Sequence, residues 1–168
     1  MKVNKTHKLT ISAIFTAIIF VATYFVKVPT PMVGGYVNLG DAFVILSGMI
    51  LGPIAFIPAA LGSSLADLLS GYAIYIPATF IIKGVSALLI GLIFKREKGI
   101  FSKIILKCII CGLISGVLIV VGYLLYELCI YGAAAFINVP FNAIQGAFGI
   151  IVSTVLLPFA LKIFKKLK

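Results

Sequence analysis

Long apolar runs without a single charge fill most of this chain, and short clusters of lysine and arginine separate them. The run from Leu9 to Val26 has 18 uncharged residues, enough for a helix that crosses the hydrocarbon core of a bilayer. It continues into Lys27 without a small-residue cleavage site, so it predicts a retained first span and not a secretory signal peptide. Since 62% of the residues are hydrophobic and 11% are charged, the sequence indicates an integral membrane protein.

The basic residues, which give the chain a formal net charge of +10, lie in three clusters between the apolar runs. Such clusters mark cytoplasmic loops, whereas a nucleic-acid-binding protein carries a continuous basic face. We therefore expect all three clusters, and with them both termini, to be cytoplasmic. The clusters are Lys2, Lys5 and Lys8; Lys95, Arg96, Lys98, Lys103 and Lys107; and Lys162, Lys165, Lys166 and Lys168.

Two basic clusters on the same side of the membrane must be separated by an even number of membrane spans. This requirement sets the number of helices. The region 41–71 must cross twice, with Gly52-Pro53 as the turn, because proline cannot continue a hydrogen-bonded helix. The prediction is an all-α integral membrane protein, a single domain over 1–168, with six transmembrane helices. Their bounds are 9–27, 39–51, 54–70, 78–95, 104–127 and 141–163, joined on the outer side by 28–38, 71–77 and 128–140. Helix two is short, about 20 Å against a hydrocarbon core of roughly 30 Å.

Polar side chains of the predicted helices concentrate in the half away from the basic clusters. Ionisable groups inside a membrane are costly and normally face a cavity or a partner, so their convergence predicts a polar cavity open to the outside. All seven tyrosines lie toward that side, either as an interfacial aromatic belt or as rings that stack on a planar ligand. The candidate substrate-binding residues are Asn38, Asp41, Asp67, Tyr72, Tyr75, Lys83, Tyr123, Glu127, Asn142 and Gln145.

The charged candidates also have structural interpretations. Asn38 and Asp41 have the spacing of a capping box, with Asn38 as the N-cap of helix two and Asp41 at position N3. Asp41 is also a possible partner for Lys83. For Lys83 the alternative to ligand contact is a structural ion pair with Glu127 or with Asp67.

The amide candidates have two interpretations as well. Asn142 and Gln145 lie three apart on helix six, where they either present two amides to a heterocycle or hydrogen-bond to another helix. Asn138, ahead of Pro140, is predicted to cap the same helix. Helices two, four and six begin on the outer side, and their positive dipole ends predict an electron-rich or anionic ligand group there.

Two strips of small residues lie elsewhere in the predicted spans, Ala13-x-x-x-Ala17 in helix one and Gly112-x-x-x-Gly116 in helix five. Small residues at this spacing let helices approach closely, and internal packing is the default interpretation. Cys108 and Cys111 have no histidine or further cysteine near them in sequence, so they are interpreted as packing residues and no metal site is predicted. The chain has no Walker-type phosphate loop and is not expected to hydrolyse ATP.

Three segments together resemble the substrate-binding (S) components of energy-coupling factor (ECF) vitamin transporters. They are SAIFTAIIF, GYVNLGDAFVILSGMILGP and LGSSLADLLSGYAIYIPATFIIKG, all within residues 9–95. The resemblance implies a multi-pass protein of the cell membrane that is not an enzyme and has no cofactor. It captures a vitamin or vitamin precursor from outside, docks on a transmembrane coupling subunit with two cytoplasmic ATPases, and topples in the membrane to carry the occupied pocket inward.

The same resemblance implies roles for particular positions. Ala13 and Ala17 meet the coupling subunit, and the pocket lies in the outer halves of helices four to six, closed by the connections 28–38 and 71–77. The segment from Asn38 to Asp41 looks more like the subgroup associated with hydroxymethylpyrimidine or pyridoxine-type rings than like riboflavin binders. The ligand expected is a small aromatic heterocycle, and the sequence does not identify which one.

Other classes of function remain open from the sequence alone. An autonomous ion-coupled carrier is the first alternative, because Asp67, Lys83 and Glu127 are suited to a proton relay, although the chain lacks an inverted repeat. An intramembrane enzyme based on Cys108 and Cys111, or on a carboxylate pair, is the second. A purely structural membrane subunit does not account for polar residues gathered on one side.

Overall fold

The computed structural model describes residues 5–30, 36–94 and 101–166. These residues form six α-helices, a two-stranded antiparallel sheet and three 3₁₀ segments. The α-helices are α1 Lys5–Phe25, α2 Gly40–Leu51, α3 Phe56–Leu69, α4 Ile76–Ile93, α5 Phe101–Tyr131 and α6 Val139–Lys166. The strands are β1 Lys27–Pro29 and β2 Tyr36–Asn38, and the 3₁₀ segments are Gly52–Ala55, Ala73–Tyr75 and Gly132–Asn138.

Apolar helices dominate the fold, in agreement with the predicted all-α membrane class. Four helical stretches of the described residues are long and apolar enough to cross a membrane, namely Lys5–Phe25, Gly40–Leu69, Ala73–Ile93 and Lys103–Phe164. The second stretch contains both α2 and α3, and the fourth contains both α5 and α6. The protein therefore passes through the membrane several times, while six separate crossings and cytoplasmic termini stay predictions.

All three of the predicted outer connections contain regular structure. In 71–77 the 3₁₀ segment Ala73–Tyr75 leads directly into α4, which begins at Ile76 and not at 78 as predicted. Within 28–38, β1 and β2 pair with Val28 opposite Val37, since β-branched residues favour strands. The connection predicted at 128–140 is helical instead, because α5 continues to Tyr131 and Gly132 then adopts a positive φ of 58° and starts a 3₁₀ segment. Several positions of the sequence predictions lie outside the described residues: 31–35 of the first connection and the basic residues Lys2, Lys95, Arg96, Lys98 and Lys168.

The turn between α2 and α3 packs directly on α4. Gly52 has a φ of 72°, a conformation that glycine adopts without strain, and Pro53 follows it as the sequence predicts. A Cβ on Gly91 of α4 would lie 2.2 Å from the Gly52 carbonyl carbon. The absence of a side chain at Gly91 is thus what lets this turn rest against α4.

The N-terminus of α1, the start of α5 and the end of α6 form one end of the bundle, named here the basic end for its lysines. Its interior is apolar, and the rings of Phe15 and Phe164 stack with centroids 5.2 Å apart. Cys108 and Cys111 are both buried and free there, and Cys108 Sγ lies 3.8 Å from Ser153 Oγ. Their surroundings are those of packing residues.

The two small-residue strips have different environments. A Cβ on Gly112 would lie 2.6 Å from Ile150 Cγ1, so this strip lets α5 pack closely on α6. Ala13 and Ala17, in contrast, are both exposed on α1. Internal packing is therefore wrong as an interpretation of the alanine strip, because the neighbouring helices of this chain leave that face of α1 uncovered.

Candidate functional site

A polar cavity lies at the opposite end of the bundle, beneath the β1–β2 hairpin; we call this the hairpin end. Side chains from α1, β2, α3, α4, α5, α6 and the 3₁₀ segment before α4 line it. The lining residues are Thr23, Tyr36, Asn38, Ser63, Asp67, Tyr75, Thr79, Lys83, Tyr123, Glu127, Asn142 and Gln145. The predicted convergence of polar residues from distant parts of the sequence is therefore present in the fold.

The cavity is small as it stands. The space in it that water can occupy is about 30 Å³, and one water molecule needs about 10–15 Å³ measured in this way. It has room for a few waters and no room for an aromatic ring.

A buried ion pair forms one wall of the cavity. Lys83 Nζ lies 2.5 Å from Asp41 Oδ1, and both side chains are buried, at 2% and 0% exposure. Asp41 does not line the cavity itself but lies behind Lys83, and its direct contact with substrate stays a prediction. Among the described residues this is the ion pair that Lys83 forms, and the predicted alternatives with Glu127 or Asp67 are wrong.

Gln145 connects this ion pair to the hairpin. Its Nε2 donates to Asp41 Oδ2 over 2.6 Å, and its Oε1 accepts from the Asn38 backbone N–H at 3.0 Å and from Asn38 Nδ2 at 3.3 Å. Gln145 thus holds the end of β2 against α6 and the start of α2. Of the two interpretations of Gln145, hydrogen bonding between elements is the one present here.

The predicted capping box at the start of α2 is wrong. The N-cap residue is Leu39, and no side chain caps this helix end. Asn38 Oδ1 instead accepts from the Gly40 N–H at 2.9 Å, the geometry of an Asx turn. Asp41 is unavailable for capping because Lys83 and Gln145 occupy both of its oxygens.

Glu127 lies in a second polar cluster near the end of α5. Its Oε1 accepts from Tyr75 OH at 3.1 Å and from Asn138 Nδ2 at 2.9 Å. Its Oε2 is buried and has no hydrogen-bond partner. Asn138, predicted as a helix cap, uses its amide to position this carboxylate.

Asp67 lies in the third cluster, between α3 and the hairpin. Tyr36 OH donates to Asp67 Oδ1, and burial, together with the negative charge of Asp67, raises the pKa of the Tyr36 hydroxyl above its usual value. The hydroxyl therefore stays protonated and remains a donor. Tyr72 does not line the cavity and packs on Tyr36 instead, with ring centroids 4.9 Å apart.

Eight of the ten predicted residues line the cavity, and the exceptions are Asp41 and Tyr72. The sequence analysis missed four lining residues, which are Thr23, Tyr36, Ser63 and Thr79. Hydroxyl side chains are common in membrane helices and give little signal alone. Ser63 and Thr79, however, each lie four residues before a predicted site residue, Asp67 and Lys83, and so share its helix face; that spacing was the available clue.

Comparisons with known proteins give a consistent result. A sequence profile of the family described as "ECF-type riboflavin transporter, S component" matches residues 3–163. An uncharacterized protein in the gap 3′ region of Pyrococcus woesei is 30% identical over 134 residues, which are 79% of this chain and 86% of the relative. The fold is similar to a crystal structure of FolT bound with folic acid, with a TM-score of 0.68 and 20% identity, over 88% of this chain and 90% of that chain.

Proposed function

The chain belongs to the family of ECF-type riboflavin transporter S components, and on that premise we propose what it captures and how. As an S component it is the substrate-binding subunit of a vitamin transporter and not an enzyme. We propose that it binds a small vitamin or vitamin precursor, an aromatic heterocycle, in the cavity at the hairpin end. Capture is from outside the cell, and delivery inward is driven by ATP hydrolysis in partner subunits.

The observation that carries this proposal is the concentration of buried polar groups in one cavity of an otherwise apolar bundle. Asp67, Lys83, Glu127 and Gln145 are each 2% exposed. Burying charged and amide groups is unfavourable unless they gain partners. A purely structural role does not explain why these groups are buried together. A ligand that donates to the unpaired oxygens of Asp67 and Glu127 does explain it.

Opening of the hairpin is the proposed route into the cavity. Three links hold the hairpin down: Tyr36 to Asp67, Asn38 to Gln145, and Lys27 Nζ to Ser70 Oγ at 2.6 Å. All three are polar contacts that join the short hairpin to α3, to its C-cap or to α6, and polar contacts of a short segment open more readily than packed helices do. Since the cavity as it stands has room only for a few waters, we propose that a ligand enters when these links break and that the lining side chains move apart to hold it when the hairpin closes again.

The first test is to purify the chain in detergent and identify small molecules that co-purify by native and denaturing mass spectrometry. We expect one vitamin-sized heterocycle in the wild-type protein and its loss from Asn142→Ala, because Asn142 lines the cavity. A protein that carries no small molecule and binds none of a vitamin panel would contradict the proposal. Transport by the chain alone in liposomes under a proton gradient would favour the ion-coupled carrier.

The exposed alanine strip of α1 supports a proposed docking surface for the coupling subunit. Small side chains let a partner helix approach the backbone closely, and Ala13 and Ala17 are both exposed. With the two cytoplasmic ATPases this subunit would complete the transporter. The proposed arrangement has six crossings and both termini in the cytoplasm, which agrees with Lys5, Lys103 and Lys162 lying at the basic end.

Leucine at both alanine positions is expected to abolish ATP-dependent uptake by the reconstituted transporter while ligand affinity changes by less than about twofold, since the cavity is at the other end of the bundle. Uptake in proteoliposomes and calorimetric binding to the isolated chain check the two parts. Val155→Leu, at a position 62% exposed on α6, is the matched control. Normal uptake by the double leucine variant would show that the coupling subunit does not dock on this face of α1.

A further inference from the structure

Two carboxylate oxygens at the cavity lack a hydrogen-bond donor. Asp67 Oδ2 and Glu127 Oε2 are both buried without a partner, although the residues line the cavity. The Thr79 hydroxyl, which lies 2.9 Å from Tyr123 OH, also interacts favourably with Asp67, but it is not within hydrogen-bond geometry of Asp67 Oδ2. An unmet buried acceptor costs about 1–3 kcal/mol, and more when it is charged, so a molecule that brings donors to both positions is stabilised there.

The balance of full charges around the cavity points the same way. Lys83 is neutralised by Asp41, whereas Asp67 and Glu127 have no salt bridge within the described part of the chain. The helix N-termini that predicted an anionic ligand group contribute only about half a positive charge each, and their effect fades within the first turn. Asp41 already lies in the first turn of α2. With Lys27 of the hairpin, whose charge also acts on Asp67, the carboxylates of Asp41, Asp67 and Glu127 still exceed the two lysines by one negative charge, and this excess opposes the helix dipoles.

Water is the other source of donors, and the cavity has room for a few molecules. A ligand that displaces ordered water loses affinity unless its own groups reproduce the hydrogen bonds of that water. The unmet carboxylate oxygens require donors, whereas the unmet hydroxyl of Thr23, which also lines the cavity, can either donate or accept. Phenol rings of Tyr36, Tyr75 and Tyr123 line the same space, and aromatic faces attract a planar cation as well as stack on a neutral ring.

We propose that the cavity selects a planar heterocycle that carries N–H donors, an amino group or a protonated ring nitrogen, for Asp67 and Glu127, and that it rejects rings bearing a carboxylate. This inference rests on the proposed function and narrows its ligand class. Selectivity comes from Asp67 Oδ2 and Glu127 Oε2, which lack donors. The amine of a ligand donates to these oxygens, whereas a carboxylate on the ligand has no donor and is repelled by their negative charge.

The test uses rings that differ in one substituent. Pyridoxamine, pyridoxine and 4-pyridoxate share a pyridine ring and carry an aminomethyl, hydroxymethyl or carboxylate group; 4-amino-5-hydroxymethyl-2-methylpyrimidine and its 4-hydroxy counterpart form a second series. Riboflavin and folic acid complete the panel. In calorimetric titration of the full chain in detergent, we expect the amine of a series to bind at least about tenfold more tightly than its hydroxyl or carboxylate counterpart, a difference of about 1.4 kcal/mol.

Two isosteric variants assign the selectivity to its residues. Glu127→Gln and Asp67→Asn keep the size of each side chain and replace the unmet oxygen by an amide that can turn its NH₂ toward the ligand. We expect each to reduce the preference for the amine by about tenfold. Ser115→Ala removes a buried hydroxyl without a partner on α5, outside the cavity, and is expected to leave the preference unchanged. The ratio of two affinities in one preparation is insensitive to loss of folded protein.

The possible results distinguish failure of the proposed selectivity from failure of the proposed vitamin capture. Binding of 4-pyridoxate, or of the hydroxyl member of either series, as tight as or tighter than that of its amine counterpart would overturn the inference and leave vitamin capture standing. An amine preference that survives both isosteric substitutions would overturn the assignment to Asp67 and Glu127. If no member of the panel binds and nothing co-purifies with the protein, the proposed function fails together with the inference.

Discussion

Asp41→Asn is expected to lower the free energy of unfolding by about 3–5 kcal/mol, the usual cost of leaving one partner of a buried ion pair uncompensated. Asparagine has nearly the size of aspartate, so the loss comes from charge and not from a cavity. Lys83 Nζ then remains in the bundle, 2% exposed, without its carboxylate. Equilibrium unfolding of the purified protein in mixed detergent micelles measures the effect.

A double variant separates the ion pair from other roles of Asp41. Since replacing a whole buried pair by residues of similar volume is often neutral, Asp41→Asn combined with Lys83→Met should recover most of the lost stability. Lys162→Met, which removes an exposed lysine at the basic end, controls for the change in net charge. Additive losses in the double variant would show that Asp41 and Lys83 are not coupled energetically.

The ion pair also shows where reasoning from the sequence stops. The apolar runs, the Gly52-Pro53 turn and the positions of the charged residues place Asp41 and Lys83 in the same half of a membrane bundle. They do not say which of three carboxylates reaches Lys83, because Asp41 lies 42 residues away and the choice depends on how α2 packs against α4. Partner choice is a property of helix packing, and no local pattern encodes it.

Short segments were harder to predict than helices for a related reason. The pairing of β1 with β2 was not predicted, because three-residue strands carry almost no periodic signal and 28–38 was predicted only as a connection. Tyr36 was consequently not selected as a site residue. The predicted fifth span ends at Glu127, whereas α5 continues to Tyr131 and ends where Gly132 adopts a positive φ. In both cases the extra residues position the cavity lining rather than span the membrane.

Gln145 and Asn142 were predicted to act alike, and the structure now predicts that they differ. Gln145 bonds Asp41 and Asn38, so Gln145→Leu leaves the Asn38 N–H and one Asp41 oxygen without a partner. The lost bond to the charged Asp41 alone costs about 1.5–3 kcal/mol, which corresponds to a decrease in ligand affinity of about 10–100-fold if closure of the hairpin is what encloses the ligand.

Hydrogen exchange of residues 27–38, followed by mass spectrometry, is the measurement that distinguishes the two amides. In Gln145→Leu we expect these backbone amides to exchange faster with or without ligand, because the link from Asn38 to α6 is gone. In Asn142→Ala the exchange without ligand should match wild type while affinity still falls, since Asn142 faces the cavity. Faster exchange in both variants would mean that the amides of α6 hold the hairpin as a unit. Unchanged exchange in Gln145→Leu would show that Tyr36 and Lys27 suffice to keep the hairpin closed.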